Sequence, residues 1–135
     1  MATITCHHED RWGAILEYPE LTLMEIRWYD TTADMSGEDF NAFLATFAST
    51  LEKATTPRCL VDGTCFRMDP SRMSMGWRDE HIIPRYNAAG VRKFAFHMPA
   101  GMPAIGAPPR AEGPATFPTA YFGAREDALA WLLSD

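Results

Sequence analysis

Positive charge is scarce in this chain. Its 135 residues hold 12 Lys and Arg against 18 Asp and Glu, a net charge of −6. Phosphate-backbone binding needs clustered Lys and Arg, so nucleic acid is not an expected partner. Cysteine is scarce too. Cys6, Cys59 and Cys65 are odd in number and lack Cys-x-x-Cys spacing. A disulfide framework or a zinc knuckle is therefore not expected, no metal site is assigned, and a reducing cytoplasm is the expected compartment. No run approaches the roughly eighteen apolar residues of a membrane span. Residues 1–8 have neither a basic n-region nor an apolar h-region, so no signal peptide is expected. The glycines are scattered and form no Walker or dinucleotide fingerprint, so no nucleotide cofactor is expected. Solenoid repeats and heptads are missing as well.

What is present is ordinary on average. Apolar residues make up 47% and charged residues 22%, as in a typical globular protein. The length suits one domain over 1–135, with a core that hides roughly two-thirds of the unfolded surface. Two surpluses stand out: eight Met with eight Phe, and ten Pro.

Residues 12–18 read as a weakly patterned strand, and Pro19 and Glu20 as a turn. Residues 21–28 then alternate, with Leu21, Leu23, Glu25 and Arg27 on one face and Thr22, Met24, Ile26 and Trp28 on the other. This period suggests an antiparallel pair. Ser36 and Asp39 form an approximate capping box. Phe40, Phe43, Leu44, Phe47 and Leu51 follow at helical spacing, and Pro57 stops the helix. Residues 58–62 read as a buried strand, 63–69 as a loop and 71–83 as a helix, with Pro84 kinking it or opening a second turn that Gly90 closes. Residues 92–98 and 119–122 are further strands, and 125–133 a last helix. The order implies an α/β fold: a mixed, mostly parallel sheet of about five strands behind an antiparallel hairpin. Residues 1–11 read as a polar N-terminal segment and 99–118 as a Pro/Gly-rich loop.

Several short pieces carry a resemblance. They are Cys59-Leu60-Val61-Asp62, Trp77 with Ile82-Ile83-Pro84-Arg85, the run from Ala89 to Phe96, and Tyr121-Phe122 followed by Glu126-Asp127-Ala128-Leu129-Ala130-Trp131-Leu132. With them the chain resembles the SpoIIAA-like (STAS-type) family over most of residues 20–133. The resemblance implies a small sheet with helices packed mainly on one face. It also implies kinship with anti-sigma-factor antagonists and with lipophilic-ligand binders, and no enzyme activity in the ordinary sense. The antagonists carry an Asp-Ser-Ser-Gly type loop whose second Ser is phosphorylated at a helix N-terminus. Asp69-Pro70-Ser71-Arg72 stands at the matching place, which makes Ser71 the matching phosphosite. Pro and Arg replace the first Ser and the Gly. The competing reading is that Asp69 or Ser71 simply caps the next helix.

Other candidate chemistry is thinner. Cys6-His7-His8-Glu9-Asp10 has the composition of a metal site, but adjacent residues rarely point at one ion. Cys59 lies in an apolar strand and reads as a small core hydrophobe. Cys65, with Asp79 and His81, would be needed for nucleophilic catalysis, and no spacing brings them together. Asp62 and His97 end neighbouring strands, where open parallel sheets bind ligands; Asp62 beside Gly63 also suits a turn.

The surpluses point to one edge. Met68, Met73 and Met75 follow one central strand, and Met98 and Met102 the next. Six of the ten prolines fall in 99–118. A loop of this length is often a lid. The expected ligand pocket is formed by Asp62, Phe66, Met68, Met73, Trp77, Met98 and Met102 under that loop. Three functions compete: a non-catalytic regulatory or protein-interaction module, a carrier or sensor of a small apolar ligand, and, third, a Cys/His enzyme. A homodimer is compatible with all three.

Overall fold

The computed structural model describes residues 3–134. Four strands form the parallel centre of a mixed sheet: β3 (Leu23–Trp28), β4 (Arg58–Asp62), β5 (Lys93–His97) and β7 (Pro118–Phe122). Antiparallel strands flank them. On one side lie β2 (Gly13–Tyr18) and β1 (Thr5–Glu9), on the other β6 (Arg110–Ala111). The seven-stranded order is β1-β2-β3-β4-β5-β7-β6. The chain is thus α/β, with two more strands than the roughly five expected.

Both additional strands are edges. β1 lies within the stretch read as a polar segment. Its residues are mostly exposed and carry no apolar alternation, so the pattern that reveals a half-buried strand is missing. A bulge between Cys6 and His8 interrupts its ladder with β2. β6 is two exposed residues inside the proline-rich loop, placed just after Pro108 and Pro109. Proline is tolerated at such an edge because no ladder partner needs its missing N–H.

Helix α1 (Gly37–Ala54) follows its expected pattern. Ser36 Oγ accepts from the Asp39 amide at 3.1 Å, and Asp39 Oδ2 accepts from the Ser36 amide at 3.2 Å. Its Phe40, Phe43, Leu44, Phe47 and Leu51 are buried against Met24, Ile26 and Trp28 of β3 and Val61 of β4. The helix expected over 71–83 is broken instead. Pro70–Arg72 form a 3-10 turn, α2 spans Met75–His81, and α3 spans Ile83–Ala88. The break between α2 and α3 follows Pro84, and Pro70 and Pro84 each lie in the first turn of a segment, where a missing N–H costs nothing.

Helices cover both faces. α1, with Ile82, Ile83 and Tyr86 around and within α3, shares one core with the Met24 face. Helix α4 (Arg125–Leu133) lies on the other face, where its Ala128 and Leu132 pack on Leu23, Leu60 and Ala95. Strand alternation enforces this division, since successive side chains point to opposite faces.

Candidate functional site

At the carboxyl ends of the parallel strands, on the α1 face, lies a cavity of about 220 Å³. Its floor is Trp28 of β3, Val61 of β4, Phe96 of β5 and Tyr121 of β7. Period-two alternation brings these four to the same face. Phe40, Phe66, Met73 and Met75 close over them, with Gly63 and Met98 at the side. The rings are mutually packed. Trp28 and Phe66 have centroids 5.2 Å apart, and Phe96 stacks on Tyr121 at 5.1 Å with 13° between planes. Gly63 makes a close approach: a Cβ there would stand 3.2 Å from Met98 Sδ. A smaller space of about 90 Å³ shares many of these walls and reaches Ile26, Leu44 and Tyr86.

Three polar groups enter this apolar lining: Arg78, Glu112 and the Tyr121 hydroxyl. Tyr121 donates to Glu112, whose two carboxylate oxygens both lie 2.9 Å away. Burial first, and then the carboxylate, push the Tyr121 pKa up to about 12. Arg78 opposes that rise with its positive charge.

Of the residues expected at the pocket, Phe66, Met73 and Met98 line the cavity. Met68 is buried within the main core, and Met102 is exposed. Trp77 packs against the core rim with its ring 5.4 Å from His81. Asp62 faces away from the cavity, because Val61 takes the inward position on β4. Its Oδ1 accepts from the amide and hydroxyl of Thr64 at 3.1 and 2.7 Å and lies 4.0 Å from His97 Nδ1. Ser71 sits on the exposed 3-10 turn, its amide donating to Asp69 at 2.9 Å.

Sequence reasoning missed Trp28, Phe40, Val61, Arg78, Phe96, Glu112 and Tyr121. Alternation already held part of the signal: Trp28 shares a strand face with Met24 and Ile26, and Phe96 shares one with Phe94 and Met98. Arg78 and Glu112 had no local signal, since tertiary packing brings them to the cavity.

The proline-rich loop divides its contacts. Ile105, Gly106, Ala107 and Pro109 border a hollow of about 400 Å³ on the opposite face, with Phe122 and Trp131. Its Glu112 alone borders the ring-lined cavity. Gly113, at φ +56°, lets the loop pass beside Asp79, where a Cβ would meet Oδ1 at 3.2 Å. Both the conformation and the approach favour glycine here.

The remaining clusters are structural in geometry. Glu25 is fully buried on the α4 face and accepts from Arg125 Nη2 at 2.8 Å, Arg125 Nη1 at 3.1 Å, Tyr18 at 2.7 Å and Arg27 Nε at 3.2 Å. At the terminus, His7 pairs with Glu17 at 2.7 Å and His8 with Asp10 at 2.9 Å. Among the described residues, no group of three or more His, Cys, Asp or Glu is placed to hold a metal ion. Cys65 is exposed, and no hydrogen bond among the described residues joins it to Asp79 or His81. No described helix is long and apolar enough to cross a membrane.

No family model, curated protein or solved structure matches this chain.

Proposed function

We propose that this protein is a non-catalytic carrier or sensor that holds a small apolar, ring-bearing ligand in the cavity above β3, β4, β5 and β7. One observation carries the reading: the chain builds a ring-walled space of about 220 Å³ at the strand ends, where open parallel sheets take their ligands. An apolar cavity of about 150 Å³ is enough to admit benzene. Met73, Met75 and Met98 give the walls flexible, polarizable side chains that adapt to a ligand's shape.

Kinship with the SpoIIAA-like family is part of the same proposal. It is supported by the order of strands and helices and by the residues quoted above, and it carries lipophilic-ligand binding as one of its two family roles. The other role, a phosphoserine switch, has less physical support. Ser71 lies on a three-residue 3-10 turn, and α2 begins only at Met75. A phosphate on Ser71 would find no α-helix N-terminus to stabilise it.

The test is thermal unfolding with a panel of one- and two-ring aromatic compounds and medium-chain lipids. A ligand bound only by the native state raises the melting temperature. The expected result is a concentration-dependent rise for some ring compounds, abolished in Met73→Trp, whose indole fills the cavity. No shift across the panel removes the reading.

A further inference from the structure

We propose that the ligand of this cavity is an aromatic carboxylate of one or two rings, and that Arg78 selects its carboxylate. The inference rests on the ligand-binding reading above and narrows it to a chemical class.

Arg78 is the basic side chain lining the cavity, and its side chain is only 15% exposed. Its guanidinium donates no hydrogen bond to any described residue. Its ion-pair contact within 4.0 Å is Asp79 Oδ1, at 4.0 Å. That separation exceeds a hydrogen bond, and Asp79 is itself nearly half exposed. A guanidinium set at the edge of an apolar wall is a ready partner for an anion that enters beside it. The planar guanidinium offers a fork of donors that matches a carboxylate in two parallel bonds.

The cavity's own acid does not fill that role. Glu112 lies among the lining residues, yet both of its oxygens are 2.9 Å from the Tyr121 hydroxyl. It forms no ion pair with Arg78 within 4.0 Å. The protein therefore presents an underused guanidinium beside an acid already engaged.

The rest of the wall selects rings. Trp28, Phe40, Phe66 and Phe96 offer faces and edges against which a flat ligand packs. The volume of about 220 Å³ exceeds the space that admits benzene and suits one or two rings.

Calorimetric titration of the full chain with naphthoate, naphthamide and octanoate tests this. Naphthoate and naphthamide share size and ring system and differ in charge. The expected result is naphthoate binding about tenfold tighter than naphthamide, the scale of a charge-assisted hydrogen-bonded pair. In Arg78→Gln the ratio falls to about one, and Arg78→Lys restores part of it. A ratio near one in the unsubstituted protein overturns the role of Arg78, whether or not the variants fold. A ratio that survives in folded Arg78→Gln overturns it as well. Octanoate binding as tightly as naphthoate overturns the aromatic class. If naphthamide binds as well as naphthoate, the ligand-binding reading stands while this inference falls. If no compound binds, both fall together.

Discussion

Glu25 occupies the most demanding single position in the chain. It is a carboxylate at zero exposure, within an apolar sheet face, and four donor groups from three side chains converge on it. Arg125 brings two of those donors from the first turn of α4, a hundred residues away. The hydrogen bonds it donates to Glu25, foremost, hold the Arg125 guanidinium more firmly protonated than usual. Removing one partner of a buried pair leaves the other without compensation. Glu25→Ala is therefore expected to cost about 3–5 kcal/mol, measured by urea unfolding. Glu25→Gln, which keeps the volume and part of the hydrogen bonding, is expected to cost less. Equal stability of Glu25→Ala and the unsubstituted protein would remove this account. The alternation over 21–28 placed Glu25 on a face with Leu21, Leu23 and Arg27, but nothing local announced its distant partner. A carboxylate in a strand looks like a solvent-facing residue until the helix that covers it is known.

At the scale of elements, α1 shows what local pattern can do. Cap, apolar stripe and stop are all written in consecutive residues, and helical geometry turns that spacing into one face. Ser36→Ala removes the hydroxyl that accepts from the Asp39 amide and loosens the reciprocal bond. A loss of about 1 kcal/mol is expected in chemical denaturation, without loss of the fold. A neutral result would mean that packing alone sets the start of α1. Strands β1 and β6 show the opposite case. Each is defined by its neighbour, as an edge that pairs on one side only. Neither carries an apolar alternation, because neither has a face that must be buried. The segment over 70–88 stands between these cases. Its prolines were visible, but whether Pro84 would bend one helix or start another depended on the packing of Ile83 and Tyr86 into the core.

At the scale of the whole molecule, all four tyrosines are shifted in the same direction. Burial raises Tyr18, Tyr86 and Tyr121, with carboxylate neighbours adding to it at Tyr18 and Tyr121. A hydrogen bond to Glu9 raises Tyr29 to about 12, and Tyr121 reaches about 12 as well. Each folded value stands above the unfolded value near 10. The native state therefore holds its phenolic protons more tightly than the unfolded chain does. That contribution is complete below pH 10 and is lost as pH rises toward and through 12. Ultraviolet titration should show little phenolate near pH 10 in the native protein, and denaturant midpoints should fall from about pH 10 upward. Ordinary titration of the tyrosines near pH 10 in the folded protein would contradict this.

The sequence by itself determined the α/β class, the antiparallel pair of β2 and β3, and the first helix. Those properties follow from short-range periodicity and from residues whose backbone rules act locally. Only the tertiary structure decided which of those residues share a cavity. It turned Val61 inward and Asp62 outward, buried Met68, left Met102 in solvent, and brought Arg78 and Glu112 to the same wall. The physical reason is that a cavity is bounded by residues distant in the chain. Their meeting depends on strand register, on which face each helix covers and on where the loops return, and no window of consecutive residues contains that information.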